Sequence, residues 1–275
     1  MNISYRSLCN LVFLGVVTLS SSSLSLAQTK TLQTLDVKYD TAWLPISESQ
    51  LKKSLASAGN SPVTMFQLIR RAVISERQDA LYLTLKSLAQ PELDAGQIKH
   101  PVFVAAYVDS ITRTQLANAE ERSQSRQWLG KALGVNKYRW FVLLIRAAAE
   151  EYDQPPRSML TSIATLEQAV KLAPQVSFIR SRLGWAYSTM AINDEKNSDK
   201  WFQKSLQQYL LASRSKPVST EPFIGLLSYY KYRYPDAAKT KFYATQVMSL
   251  IPPNAHLKPK MRTFFVQYGV TVPKS

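Results

Sequence analysis

Apolar side chains recur along this chain at intervals of three and four residues, the spacing that lines one face of a helix. No stretch shows the alternation of a half-buried strand. The clearest helix opens at Ser61-Pro62, a capping hydroxyl followed by a first-turn proline, and Val63, Phe66, Ile69 and Val73 keep helical spacing through Ile74. A second helix is expected from about Arg77 to Leu88, stopping ahead of Pro91, because proline lacks the N–H that a further turn needs. His100-Pro101 precedes an apolar helix to Ile111, and a polar helix through Ala132 closes at Gly134. Residues 137–152 and 159–172 form a further pair, broken at Asp153-Gln154-Pro155-Pro156. Upstream, residues 28–61 are expected to be a mostly irregular lead-in with a short helix near Ser47–Ala58, and Trp43 is expected to dock it on the first hairpin.

From residue 159 onward the punctuation falls into step. Ala169 is followed five residues later by Pro174, Ala212 by Pro217, and Val247 by Pro252. Nine residues beyond the first two prolines stand Leu183 and Leu226, and four beyond those stand Tyr187 and Tyr230. Fixed offsets of this kind imply a repeated unit. The physics suits two packed antiparallel helices: a small residue permits close approach, an aromatic fills the gap beside it, and proline ends the second helix. One such hairpin cannot cover its own apolar face, so neighbours must stack.

The residues Leu183-Gly184-x-x-Tyr187 and Tyr209-x-x-Ala212-x4-Pro217 resemble the tetratricopeptide (TPR) family, over residues 159–253. Pro217 and Pro252 are 35 residues apart, close to the roughly 34 of that family. Pro174 and Pro217 are 43 apart, and the excess is assigned to the polar run Ile192–Lys200 as an enlarged turn. Leu227 stands where the family usually has glycine, and Val247 where it has alanine. The resemblance implies an all-α fold, a right-handed α-solenoid of antiparallel helix pairs. Residues 62–135 would form N-terminal helical pairs, and 136–275 TPR-like repeats closed by a capping helix at 257–268 with Phe264 and Phe265 turned inward. In that family the ligand lies in a concave groove lined by the first helix of each pair. Carried over, the register turns Phe178, Ser181, Trp185, Ser188 and Thr189 inward in one unit, and Glu221, Ile224, Ser228, Lys231 and Tyr232 in the next. Phe178, Trp185, Thr189, Ser228, Lys231 and Tyr232 are the expected ligand contacts, with Trp185 foremost because aromatic anchors dominate interfaces. The asparagine and lysine set by which some members clamp a peptide's terminal carboxylate is absent from these positions.

Met1–Ala27 reads as a secretory signal peptide: Arg6, then the apolar run Leu11–Leu19, then Ser25-Leu26-Ala27 for cleavage. A periplasmic or secreted location follows as the expectation. The only cysteine, Cys9, lies inside that segment, so a mature chain would have no disulfide and no thiolate metal site. His100 and His256 sit beside loop prolines with no second ligand at helical spacing, and no metal is expected. With only 8 glycines there is no glycine-rich phosphate loop, and neither a Gly-x-Ser-x-Gly elbow nor a Walker loop is present. Glu120-Glu121 and Glu150-Glu151 point about 100° apart on a helix and are expected on solvated faces. The chain is therefore expected to be non-catalytic and to need no cofactor.

Charge adds a second candidate. The net charge is +15. Residues 28–135 carry 13 basic and 10 acidic groups, residues 136–275 carry 20 and 9, and residues 200–275 set 12 basic groups against Glu221 and Asp236 alone. Seven of the 14 tyrosines fall in that last stretch, and Tyr229-Tyr-Lys-Tyr-Arg-Tyr234 interleaves rings with cations. The leading expectation is an exported helical-repeat scaffold that holds a protein or peptide in its groove. The alternative is a binder of acidic polymers, wall polysaccharide or nucleic acid, or of a membrane surface, through the basic, tyrosine-rich end.

Overall fold

The computed structural model describes residues 39–135, 137–151, 157–255, 257 and 259–272. The signal segment, the first part of the lead-in, the Asp153–Pro156 break, His256 and the last three residues lie outside them. Among the described residues the fold is all-helical: twelve α-helices follow a first 3-10 turn, Thr41–Trp43, and no strand is formed. They are α1 (Glu48–Ser57), α2 (Pro62–Ile74), α3 (Gln78–Asp94), α4 (Pro101–Ile111), α5 (Ala119–Leu133) and α6 (Arg139–Glu150). Then come α7 (Arg157–Leu172), α8 (Ser177–Asn193), α9 (Ser198–Ser213), α10 (Glu221–Ser228), α11 (Ala237–Leu250) and α12 (Pro259–Val266).

The helix starts are written locally. Ser47 and Gln50 form a reciprocal capping box at α1, as Asn118 and Glu121 do at α5. Ser61 accepts the Thr64 N–H behind Pro62, and Asp236 accepts the Lys239 N–H. Each such cap contributes about 1 kcal/mol.

Two boundaries depart from expectation. Helix α3 runs through Pro91 to Asp94. Pro91 sits in the last turn, exposed, where only one ladder bond is lost, and the helix ends where Gly96 takes a positive φ of 68°. The run Ile192–Lys200 is not an enlarged turn: α8 extends through Asn193 and α9 begins at Ser198, with only a 3-10 turn at Glu195–Asn197 between them. The nine extra residues chiefly lengthen both helices, to 17 and 16 residues.

Consecutive helices pack side by side, most closely α8 on α9 and α6 on α7, with α10 on α11, and α3, α5 and α6 all against α4. Alternate first helices also touch, α2 with α4, α4 with α6, and α8 with α10. Ala169, Ala212 and Val247 are all completely buried near the ends of α7, α9 and α11, and Pro174, Pro217 and Pro252 follow those helices. Between units the loops align, with Ser177 N–H donating to the Lys216 carbonyl at 3.0 Å and Ser177 Oγ to the Pro217 carbonyl at 2.6 Å.

Tyr209 of α9 is the wedge of the C-terminal half. Its ring lies against Gly184 of α8 and Gly225 of α10, where a Cβ would come within 2.9 Å and 2.4 Å of ring carbons. Glycine is required at Gly225 because no side chain fits between the α10 backbone and that ring.

Trp43 docks further away than expected. The lead-in lies along α2, but the indole is buried among Leu227, Ala244, Val247 and Ile251 of the last hairpin. Its Nε1–H donates to Thr220 Oγ1 at 3.0 Å, and the Asp40 N–H donates to the Leu250 carbonyl at 2.8 Å. The first helices of the chain are thereby joined to the last.

Gly225→Ala should lower stability by about 1–3 kcal/mol through overpacking. Gly130→Ala, on an open face of α5 with nothing within 4 Å of the added methyl, should be neutral or stabilising by up to about 1 kcal/mol. Urea unfolding of the two variants checks the contrast.

Candidate binding cavity

The same helical offset repeats on the inner side of the molecule. Phe66, Ile69, Arg70 and Val73 of α2, Phe178, Ser181, Arg182 and Trp185 of α8, and Glu221, Ile224, Gly225 and Ser228 of α10 all stand at i, i+3, i+4, i+7. That spacing keeps each set on one helical face. All three faces line one cavity of about 120 Å³, together with Leu144, Ile145 and Ala148 of α6 and with Asp109 and Arg113 at the end of α4. Trp43 and Tyr209 complete the wall. A cavity near this size admits a benzene-sized group. Phe66 and Phe178 stack with centroids 4.0 Å apart, so α2 and α8 meet across the interior.

The charged groups in this wall are partly or fully buried and form ion pairs. Arg70 Nη1 and Nη2 donate to Asp40 Oδ1 and Oδ2 at 2.9 and 3.0 Å, while its Nε reaches Glu221 Oε1 at 2.8 Å. Asp40 also accepts the Thr220 N–H at 2.8 Å and the Thr220 hydroxyl at 2.9 Å. Burial alone would raise the Asp40 carboxyl, but Arg70 and Thr220 outweigh it and hold the group below its ordinary range. Glu221 moves the other way: burial raises it against the pull of Arg70, and the charge on Asp40 adds to the rise. Arg113 makes a two-point contact with Asp109 at 2.6 and 2.9 Å. Arg182 lies 4.3 Å from the Trp185 ring centre and ion-pairs with Glu151. Burial lifts Glu151 to about 7 despite Arg182 and a 3.1 Å hydrogen bond from Ser162. The Ser228 hydroxyl is buried in the wall with no hydrogen-bond partner.

Three of the four glutamates expected on solvated faces are engaged. Only Glu120 is exposed. Glu121 accepts from Tyr82 at 2.8 Å, from Tyr107, from the Asn118 N–H at 2.8 Å, and pairs with Lys86 at 2.9 Å. Those donors overcome its burial and hold it at about 2. Glu150 pairs with Arg146 at 2.8 Å and accepts from Thr165 at 2.9 Å. Adjacent glutamates do point apart on a helix, but Glu121, Glu150 and Glu151 each reach at least one partner on another helix.

Of the expected contacts, Phe178, Trp185 and Ser228 line the cavity, as do Ser181, Glu221 and Ile224. Phe178 is completely buried and Trp185 half-buried. Thr189 and Ser188 lie outside it, Ser188 buried against Ser205 at 2.5 Å between α8 and α9. Lys231 and Tyr232 are also outside. After Ser228 the chain widens into a π turn, Tyr229–Arg233, so a register extrapolated at 3.6 residues per turn rotates out of phase. The Lys231 ammonium instead sits between the rings of Tyr232, Phe264 and Tyr268, at 4.9, 4.7 and 5.0 Å from their centres. Sequence reasoning passed over Arg70, Arg113 and Arg182. A signal was present, because Phe66 and Phe178 each stand four residues before an arginine on the same inner face.

The basic tyrosine run is mostly folded onto itself. Tyr229 is buried, Tyr230 stacks on Tyr243 at 5.7 Å, and Arg233 pairs with Asp199. His100 contacts Glu92 beside the N-terminus of α4. No group of three or more metal-ligating side chains occurs among the described residues. No protein-family model, no curated protein and no solved structure matches this chain.

Two outcomes follow from the electrostatics. Arg70→Met strands the buried Asp40 and the partly buried Glu221 and should cost about 3–5 kcal/mol, part of which Arg70→Met/Asp40→Asn/Glu221→Gln restores, as read by urea unfolding. Glu151 is raised from 4.5 to about 7, so the folded chain holds the extra proton between those values and stability falls as pH rises through them. Glu151→Gln should remove that slope in melting curves. Glu121 acts in the separate window below 4.5, where its contribution is lost as pH falls toward about 2.

Proposed function

We propose that this chain is an exported, non-catalytic helical-repeat scaffold, a right-handed TPR-like solenoid whose concave cavity seats an anchor side chain of a protein or peptide partner. The observation that carries this reading is the convergence of the first helices, α2, α4, α6, α8 and α10, on one apolar cavity with the same inner-face offsets in three of them. The resemblance around Leu183-Gly184-x-x-Tyr187, the buried Ala169, Ala212 and Val247, and the prolines after α7, α9 and α11 support it. An aromatic-lined recess with a few fixed polar groups is the usual form of an anchor pocket. Export rests on the Met1–Ala27 pattern. The alternative, an acidic-polymer or membrane-surface binder, has less support, because Tyr229, Tyr230 and Arg233 are committed to internal contacts rather than laid out along a groove.

Photo-cross-linking in intact cells, with the adduct identified by mass, tests the proposal. A partner captured by the wild type should be lost with Ile224→Trp, which fills the cavity, and retained with Lys241→Glu on the exposed face of α11. Loss with Lys241→Glu alone, together with steep weakening by salt, would transfer the function to the basic surface.

A further inference from the structure

The cavity wall contains a carboxylate with less compensation than its neighbours. Arg70 serves two carboxylates at once. Asp40 takes both terminal nitrogens and receives further donors from Thr220 and the Ala42 N–H, so its charge is fully met. Glu221 is left with the remaining Nε, and its side chain, 16% exposed, opens on the cavity. Arg113 pairs with Asp109 and Arg182 with Glu151, and the Arg182 charge also acts on Glu221, more weakly than Arg70 does. Two turns along the same face of α10, about 10 Å away along the axis, Ser228 stands in the same wall with its hydroxyl buried and without a partner. Ile224 and Gly225 stand between them on α10, and Phe66 and Phe178 line the same cavity. A buried hydroxyl without a partner is costly, and so is a buried carboxylate without full counter-charge.

We infer that the cavity is a site for a primary ammonium borne on a ring-sized apolar body, with Glu221 as counter-ion and Ser228 bonding a polar group at the far end. This deepens the proposed function, resting on its placement of the ligand in the cavity. Two sources share the chemistry: a free arylalkylamine, or a lysine side chain of a partner peptide, for which a backbone carbonyl or hydroxyl would meet Ser228. No bond is made or broken.

Calorimetric titration of the full chain tests it with tyramine, Nα-acetyl-lysine amide, the neutral analogue 2-(4-hydroxyphenyl)ethanol and the acid 4-hydroxyphenylacetate. One saturable site is expected for tyramine or the lysine amide, at least ten-fold weaker for the alcohol, and absent for the acid. Glu221→Gln should weaken the amine at least ten-fold, and Ser228→Ala should weaken tyramine while leaving phenethylamine, which lacks the hydroxyl, unchanged. Binding of tyramine alone assigns the site to free amines, and binding of the lysine amide alone assigns it to a peptide side chain. Equal binding of acid and amine, unchanged binding in a folded Glu221→Gln, or no saturable binding of any amine overturns the inference. Should Glu221→Gln fail to fold, the amine-to-alcohol ratio on the wild type decides. Failure here with the cross-linked partner still lost in Ile224→Trp leaves the scaffold reading standing without this ligand.

Discussion

The guanidinium of Arg70, clamped between Asp40 and Glu221, is the interaction on which the arrangement depends. It brings together three parts of the chain that are far apart in sequence: the lead-in, the first hairpin and the start of α10. Thr220 adds hydrogen bonds to Asp40 across a separation of 180 residues. A bare ion pair in this position would not repay its desolvation. What makes it tenable is the number of donors around Asp40, and the burial of Trp43 beside it, worth about 2–3 kcal/mol for a large apolar side chain. Charge sets the register of the closure, and the apolar surface supplies most of the adhesion.

The helices were legible because each is specified by short-range features. The cap at Ser61, prolines after second helices, and periodic apolar residues act within one or two turns. The inner face of α8 and the first turns of α10 were legible for the same reason, since an offset of three or four residues keeps its meaning as long as the helix stays regular. It lost that meaning at Tyr229, where the π turn begins and nothing in the spacing announces it. The polar run before Lys200 misled for a different reason: polar residues suit a long exposed helix end as well as a loop, and composition does not separate the two.

Contacts between distant elements were not legible. Trp43 reads as a residue that docks somewhere, but nothing near it in sequence names Leu227 or Thr220 as its neighbours. Glu121, Glu150 and Glu151 look like solvent-facing charges until Tyr82, Tyr107, Lys86, Arg146 and Arg182 are placed around them. Tyr209 was visible as a motif position, yet its partnership with Gly225, across to the next unit, depends on how α10 crosses α9. The cavity itself is a product of such long-range choices, because no single helix contains more than a third of its wall.

The junction of Asp40 with Thr220 carries a consequence for how this molecule can change over time. An open row of hairpins tolerates duplication or deletion of a unit, since each contacts only its neighbours. Here the lead-in meets the start of α10, and inserting or removing one pair between them would carry Thr220 away from Asp40 and leave Trp43 without its seat. The number of hairpins is therefore set by geometry, much as the number of staves is set in a hoop, and variation is confined to the outward surfaces and the turns.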